Sequence, residues 1–194
     1  NKPSGLLTVP GRGPDKQDCL INRILSDRPE ARIVHRLDMS TSGLVIIPLN
    51  HPSQVAIGRQ FEKRQVKKEY LALVDGKLTL SQGQVNLPLI CDWPNRPRQI
   101  VDHDNGKAAT TDYEVLDYDE ENDSSRVRLS PLTGRSHQLR VHMQALGHPI
   151  LGDPLYAEGA ALKKSDRLCL QAKEIGFEQP TSKEWLSIRL DDDF

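Results

Sequence analysis

Residues 34–43 read Val-His-Arg-Leu-Asp-Met-Ser-Thr-Ser-Gly and lead directly into the apolar run Leu-Val-Ile-Ile at 44–47. The apolar run predicts a buried strand, so Asp38 is expected on a loop held by a rigid element, where catalytic groups tend to lie. Arg36 and Asp38 are two residues apart and face the same side of an extended backbone, and Gly43 permits a sharp turn. An ordinary surface Arg/Asp pair would explain this stretch equally well.

The overall composition limits what kind of protein this is. Lys and Arg total 26 against 27 Asp and Glu in 194 residues, a formal charge of -1, so a site for a polyanion has to be local. The three widely spaced cysteines argue against a disulfide framework or a zinc ribbon and favour a reducing cytoplasm. No run is long and apolar enough for a membrane span. The length predicts one domain, 1–194, with a strand expected before Asn1.

Hydrophobic periodicity predicts three short helices and a larger number of strands. The helices begin near Asp18, which is a plausible cap, at Pro52, and at Ser136 for a helix over 136–146. Alternating patterns predict strands at 64–74, 111–118, 126–129, 168–170, 175–177 and 185–188. The acidic stretch at 119–123 reads as a turn, so the strands at 111–118 and 126–129 are expected to form a hairpin. This tally indicates an α+β domain around a largely antiparallel mixed sheet flanked by short helices and loops.

Helical spacing also assigns the side chains that face inward, namely Val55, Ile57 and Phe61 in the second helix and Leu139, Met143 and Leu146 in the third. Arg140 is then expected on the opposite, polar face with His137. His137 and His142 are five residues apart, roughly 140° around a helix, which argues against a shared zinc ion and for an ordered, non-metal role.

Two clusters combine cations with an aromatic ring. Lys67 and Lys68 precede Tyr70 and suit contact with a phosphate and a base, although a solvated helix end followed by an ordinary strand tyrosine explains them too. Trp93 lies near Arg96 among prolines that would stiffen a protruding loop. This pattern predicts either an RNA-contacting tip or a tryptophan folded over the core.

Four ordered motifs together resemble the ribosomal large subunit class of pseudouridine synthases. They are His-Arg-Leu-Asp-Met-Ser-Thr-Ser-Gly at 35–43, Lys-Lys-Glu-Tyr at 67–70, Leu-Thr-Gly-Arg-Ser-His-Gln-Leu-Arg-Val-His at 132–142 and Gly-His-Pro-Ile-Leu-Gly-Asp-Pro-Leu-Tyr at 147–156. The similarity extends over nearly the whole chain, and the segment at 87–97 is similar to the A-type members. Gln171 departs from the family, which often has a histidine there.

The resemblance implies isomerisation of uridine to pseudouridine in 23S rRNA and in the anticodon stem-loop of tRNA, by base flipping, without cofactor, metal or obligate protein partner. It assigns the catalytic roles to Asp38 as nucleophile, Tyr70 as the ring stacked on the uracil, and Arg140 as the cation that keeps Asp38 ionised. Arg36 would fill the stack that the base leaves. Further RNA contacts are expected at Lys67, Trp93, Arg96 and Arg135.

Three other functions compete with this interpretation. A nucleoside hydrolase normally needs a second carboxylate, and residues 124–152 contain no Asp or Glu, which leaves only Asp153 nearby. A protein kinase is excluded because the His-Arg-Leu-Asp order differs from the kinase loop and no glycine-rich loop precedes it. A non-catalytic RNA-binding module or RNA chaperone predicts loss of Asp38, Tyr70 or Arg140, and all three are present.

Overall fold

Strands outnumber helices along the chain, as the predicted fold class requires. The computed structural model describes residues 1–194 and contains a 3-10 turn at Pro14–Lys16 and helices α1 (Leu20–Leu25), α2 (His51–Glu62), α3 (Gln138–Ala145) and α4 (Gly159–Lys163). Its strands are β1 (Ser42–Gly43), β2 (Lys67–Asp75), β3 (Gln82–Asn86), β4 (Leu89–Cys91), β5 (Gln99–Val101), β6 (Thr110–Asp119), β7 (Ser124–Pro131), β8 (Leu170–Glu178) and β9 (Trp185–Arg189). The α+β class with mainly antiparallel strands is therefore confirmed.

The chain divides into two compact units, and the limits between them fall inside β2 and β8. Unit 1 comprises residues 1–68 and 172–193, and unit 2 comprises residues 69–171 together with Phe194. The single domain 1–194 stays a prediction, because two compact units of one chain can still unfold together.

Unit 2 is built on antiparallel pairs. β2 pairs with β7, where Tyr70 lies opposite Leu129, β7 pairs with β6, and β6 pairs with β3. The β6–β7 hairpin confirms the one predicted from alternation, and its turn forms because the Asp119 carboxylate accepts the backbone N–H groups of Glu121 (3.0 Å) and Asn122 (3.2 Å). Apolar side chains from β2, β7 and α3 form the largest core cluster, which includes Ala72, Val74, Val127, Leu129, Leu139 and Met143.

Unit 1 contains two smaller apolar clusters. One joins Ile57 of α2 to Ile175 and Phe177 of β8, and the other surrounds Cys19 and Ile21 at the start of α1. α2 begins where Asn50 caps it, because the Asn50 side chain accepts the Ser53 backbone N–H at 2.8 Å. These clusters hold the segments on either side of residues 34–43.

Three expectations for unit 1 are wrong. Residues 44–47 do not form a strand: the backbone N–H of Leu44 bonds to the Ala172 carbonyl, but that of Ile46 bonds to a histidine ring. Asp18 does not cap α1, since its carboxylate binds Arg23 at 2.7 Å and the N-cap is Cys19. Val55 is exposed, while Ile57 is buried as expected.

Three expectations for α3 are also wrong. The helix starts two residues later than predicted, after His137, which has a left-handed backbone (φ 54°). Leu146 is exposed, whereas Arg140 is buried among polar partners. The inward face of α3 is thus partly charged, a possibility that apolar periodicity does not register.

We expect Gly43→Ala to destabilise the protein by roughly 1–3 kcal/mol more than Gly5→Ala. Both glycines have positive φ (106° and 83°), but a Cβ at Gly43 would lie 2.7 Å from the backbone N of Ala172, while one at Gly5 meets nothing within 4 Å. Chemical denaturation of both variants measures the difference. Equal losses would show that backbone conformation alone, and not contact with β8, requires glycine at position 43.

Candidate active site

The loop that carries Asp38 is fixed by the N-terminal segment of unit 1. The hydroxyl of Thr8 donates to the Leu37 carbonyl (2.8 Å) and accepts the Leu37 N–H (3.1 Å), while the Ser4 hydroxyl donates to the Ser40 carbonyl (2.7 Å). Leu37 is buried, Asp38 is half-buried and Arg36 is exposed. The carboxylate therefore lies on an irregular but well-anchored loop.

A buried lysine lies beneath this loop, and no sequence pattern predicted it. Lys2 is fully buried, and its Nζ donates to the carbonyls of Leu6 (2.8 Å), Pro3 (3.0 Å) and Met39 (3.0 Å). Burial lowers the pKa of Lys2 to about 8, and the negative charge of Asp38 opposes that shift. The ammonium thus links the N-terminal turn to the residue that follows Asp38.

His35 is a structural ring in this unit. Its Nε2 accepts the Ile46 backbone N–H at 2.8 Å, and its ring centroid lies 4.6 Å from that of Phe61. Burial, with a smaller contribution from the positive charge of Lys68, lowers the pKa of His35 to about 4. The imidazole is therefore neutral at physiological pH and holds the strand-like run after Asp38 in place.

The basic pair at 67–68 has different surroundings from those predicted. The exposed Lys67 ammonium lies 5.6 Å from the ring centroid of Trp185, so the aromatic ring beneath it belongs to β9. Lys68 is half-buried, and burial lowers its pKa. Tyr70 follows in β2, half-buried and packed against the main core of unit 2.

Arg140 is the centre of a buried polar cluster in unit 2. Its Nε and Nη2 donate to the two carboxylate oxygens of Asp153 at 2.7 and 2.6 Å, with the arginine only 2% exposed and the aspartate 0% exposed. Asp153 Oδ1 also accepts the backbone N–H groups of Leu155 (2.9 Å) and Tyr156 (3.2 Å). The prediction of a polar, outward face for Arg140 is wrong because this carboxylate, just beyond the acid-free stretch, accepts two hydrogen bonds from the guanidinium inside unit 2.

The other histidines of this stretch have ordered roles. His142 is fully buried, its Nε2 donates to the Leu87 carbonyl (3.1 Å), and its Nδ1 bonds to the Thr111 hydroxyl (2.9 Å). Burial lowers the pKa of His142. His137 bonds through Nδ1 to the Tyr156 hydroxyl at 2.7 Å. No group of three or more His, Cys, Asp or Glu side chains in the chain has an arrangement that could hold a metal ion.

The β4–β5 hairpin presents exposed cationic and aromatic side chains. Trp93 is 65% exposed at its tip, and the Arg96 guanidinium lies 4.8 Å from the Trp93 ring centroid. Of the two alternatives for Trp93, the structure thus has the exposed one. Arg135 is also exposed, and its Nε donates to the Ala108 carbonyl at 3.1 Å, which holds the side chain against the loop before β6.

The predicted site residues are therefore distributed over both units. Unit 1 contains Asp38, Arg36 and Lys67, and unit 2 contains Tyr70, Arg140, Trp93, Arg96 and Arg135. Within unit 2 the structure brings Trp93 and Arg96 together. Sequence reasoning missed Lys2, Asp153 and Tyr156 as members of the surroundings of these groups.

Comparison with known proteins agrees with this arrangement of motifs. The model of the RNA pseudouridylate synthase family matches residues 1–145. A dual-specificity RNA pseudouridine synthase RluA of Pasteurella multocida (strain Pm70) is 53% identical over 187 residues, covering 96% of this chain and 85% of the relative. The protein of the same name from Escherichia coli (strain K12) is 49% identical over 194 residues, covering 100% of this chain and 88% of the relative.

A solved structure supports the same relationship. Human RNA pseudouridylate synthase domain containing 1 superposes with a TM-score of 0.82 at 32% identity, covering 100% of this chain and 79% of the human chain. The chain therefore belongs to the RNA pseudouridylate synthase family. It is an RNA pseudouridine synthase, an isomerase whose substrate is uridine within RNA. None of its helices combines the length and apolarity needed to cross a membrane.

We expect the free energy of unfolding of the wild type to rise relative to that of Lys2→Met between about pH 8 and 10.5. Native Lys2 loses its proton near pH 8 and the unfolded side chain near 10.5, so in that window the unfolded state binds one more proton and stability rises with pH. The full effect is roughly 3 kcal/mol. Denaturation curves at both ends of the window measure it, with the exposed Lys16→Met as control. A difference independent of pH would contradict the burial of a titrating ammonium.

Proposed function

We propose that this enzyme isomerises specific uridines both in 23S rRNA and in the anticodon stem-loop of tRNA, with Asp38 as nucleophile. The dual specificity is supported by relatives that are about half identical over nearly the whole chain and are named dual-specificity enzymes. We further propose that it works in the cytoplasm, where both RNAs are found. The single observation that supports the role of Asp38 is its half-buried carboxylate on a loop anchored by Thr8, Ser4 and Lys2.

The reaction requires a group that can break and remake a carbon bond at the ribose. The bond from uracil N1 to ribose C1′ breaks, the base turns, C5 joins the same carbon, and C5 then loses a proton while N1 gains one. Atoms and electrons balance, so no oxidant, reductant or energy source is consumed. A carboxylate supplies the nucleophile for such a step by adding to the ribose carbon or to the uracil ring.

The remaining catalytic roles go to two residues of unit 2. Arg140 supplies a fixed positive charge that favours the ionised form of Asp38, and its position is fixed because Asp153 grips it through two hydrogen bonds. Tyr70 stacks on the extruded uracil and assists removal of the C5 proton. Its place in β2, paired with β7 and packed on the main core, gives the ring a rigid support.

Base flipping and RNA binding use the exposed cations and the hairpin tip. Arg36, exposed beside the buried Leu37, inserts its planar guanidinium where the uridine leaves the stack. Trp93 and Arg96 offer an exposed ring and a guanidinium that lies over it, which suits contact with an unstacked base and its phosphate. Lys67 and Arg135 contact phosphates. Local sites of this kind reconcile a formal charge of -1 with an RNA substrate.

Asp38→Asn is expected to abolish turnover and to leave RNA affinity within about twofold, because the amide keeps the shape but is no nucleophile. Tritium release from RNA labelled at uridine C5 measures the reaction, with 23S rRNA fragments and tRNA transcripts assayed separately. Asp18→Asn is the matched control, since it removes an exposed surface carboxylate that pairs with Arg23 at 2.7 Å.

Each outcome of that assay has one meaning. Release by the wild type from both RNAs, and from neither by Asp38→Asn, supports the proposal. Release from one RNA alone rejects dual specificity. Turnover by Asp38→Asn removes the nucleophile assignment, and binding without release by the wild type favours a non-catalytic RNA-binding module.

Arg36→Ala is expected to slow base extrusion roughly tenfold while equilibrium RNA binding changes by less than about threefold, because an unfilled stack leaves the flipped state less stable. Stopped-flow fluorescence of 2-aminopurine placed beside the target uridine reports the extrusion rate. Arg32→Ala, at a second exposed arginine nearby, is the control. Extrusion at the wild-type rate in Arg36→Ala would assign that residue to phosphate contact instead.

A further inference from the structure

Tyr156 is buried where the RNA-contacting hairpin meets the helix that carries Arg140. Its ring is 3% exposed, and the Arg140 guanidinium lies 5.0 Å from the ring centroid. The Arg98 guanidinium, at the base of the hairpin tip, lies 5.5 Å from the same centroid. One ring therefore contacts a cation of the hairpin and the arginine assigned above to the ionisation of Asp38.

The hydroxyl of Tyr156 extends this contact to the backbone of both elements. It accepts the backbone N–H of Gln99, the first residue of β5, at 2.8 Å. It also bonds at 2.7 Å to Nδ1 of His137, which is the N-cap of the Arg140 helix. A single oxygen thus joins the strand that leaves the hairpin tip to the start of α3.

Asp153 restrains the relative positions of Tyr156 and Arg140. Its carboxylate holds Arg140 through two hydrogen bonds and also accepts the backbone N–H of Tyr156 itself (3.2 Å). A shift of the Tyr156 backbone therefore moves the carboxylate that positions the guanidinium. Because every one of these groups is buried or half-buried, their hydrogen bonds are not readily replaced by water.

We propose that Tyr156 is a positioning residue that couples RNA contact at the hairpin tip, through Arg98 and Gln99, to the placement of Arg140. RNA bound by Trp93 and Arg96 stabilises one position of the hairpin, the Tyr156 hydroxyl transmits that position to α3, and Arg140 is aligned for the reaction. This inference rests on the proposed function. Its consequence is that correct RNA, and not only the target uridine, raises the rate of the chemical step.

The test compares saturating single-turnover rates on an RNA stem-loop for the wild type, Tyr156→Phe, Trp93→Ala and the double variant. Tyr156→Phe is expected to lower the saturating rate roughly tenfold, since the Gln99 N–H loses its buried acceptor, and to change RNA affinity by less than about twofold. Trp93→Ala lowers both. In the double variant the rate falls no further than in the slower single variant. Tyr118→Phe is the matched control and is expected to keep the wild-type rate. It also removes a tyrosine hydroxyl, which in this case donates to Asp123 at 2.8 Å in the β6–β7 turn.

Two outcomes overturn the coupling. Either Tyr156→Phe retains the wild-type saturating rate, or the rate losses of the two single variants multiply in the double variant, which is the mark of independent effects. A purely structural role for Tyr156 would lower thermal stability and scale all rates with the folded fraction, so melting curves accompany each variant.

His137 gives a second variant pair should Tyr156→Phe fold poorly. Asn tolerates the left-handed backbone at this position (φ 54°) and places a polar atom near that of the imidazole Nδ1, whereas Gly suits the backbone and removes the side chain. His137→Asn is expected to keep the saturating rate within about threefold, and His137→Gly to lower it roughly tenfold. Equal rates in the two variants would overturn the proposal.

A readout independent of turnover separates this inference from the proposed function. The Nε–H resonance of Arg140, identified by its loss in Arg140→Lys, is expected to shift when the wild type binds the stem-loop and to stay unshifted in Tyr156→Phe with the same RNA bound. An unchanged shift in that variant rejects the coupling even if catalysis proceeds as proposed. Absence of tritium release by the wild type rejects the proposed function whatever the resonance does.

Discussion

Burial of positive charge is the constraint on which the rest of this structure depends. Lys2 and Arg140 are both withdrawn from solvent, one in each unit. Burying a cation lowers the stability of the fold unless each of its buried N–H donors has a hydrogen-bond acceptor. Removing one partner of a buried ion pair destabilises the fold more than replacing both partners. The loops around these two cations are therefore shaped by the need to supply oxygen atoms.

The two cations are satisfied in different ways, with different consequences. Lys2 donates to three backbone carbonyls, which ties an irregular N-terminal turn to the loop of Asp38, and the negative charge of Asp38 also favours the ammonium. Arg140 instead forms a bidentate ion pair with the single carboxylate of Asp153. The planar geometry of this pair fixes the orientation of the guanidinium as well as its position. The first arrangement gives a loop its conformation, and the second gives a guanidinium its direction. If Asp38 and Arg140 have the proposed roles, both arrangements hold reacting groups in place before the substrate arrives.

Under the RNA contacts proposed above, the distribution of polar groups also accounts for how a nearly neutral enzyme acts on RNA. Two of its exposed cations lie beside aromatic rings, Arg96 over Trp93 and Lys67 over Trp185. Such pairs hold a flat surface and a charge at one place, which suits an unstacked nucleotide better than a uniform basic surface does. Two of the acidic residues that balance the overall charge, Asp119 and Asp18, lie in a turn and in a surface ion pair.

The sequence by itself determined the class of fold, the main hairpin and the motifs that identify the family. Alternation at 111–129 predicted β6 and β7 because side chains of a strand repeat every two residues, and Ile57 was assigned to the core by helical spacing. The sequence could not determine the surroundings of Arg140, since periodicity treats every arginine as a surface residue. It also wrongly predicted a strand at 44–47, where the Leu44 backbone N–H bonds to the Ala172 carbonyl but no strand forms.

Only the tertiary structure decided which polar groups meet. Asp153 is thirteen positions from Arg140, and Met39 is thirty-seven from Lys2, so neither contact follows from local spacing. Tyr156 was part of a recognised motif, yet its links to Gln99 and His137 depend on how a hairpin and a helix pack, which is set by the core beneath them. Local pattern fixes the elements because backbone geometry repeats at short range. The partners of buried charges are fixed by packing, because desolvation acts on whatever oxygen the folded chain brings within reach.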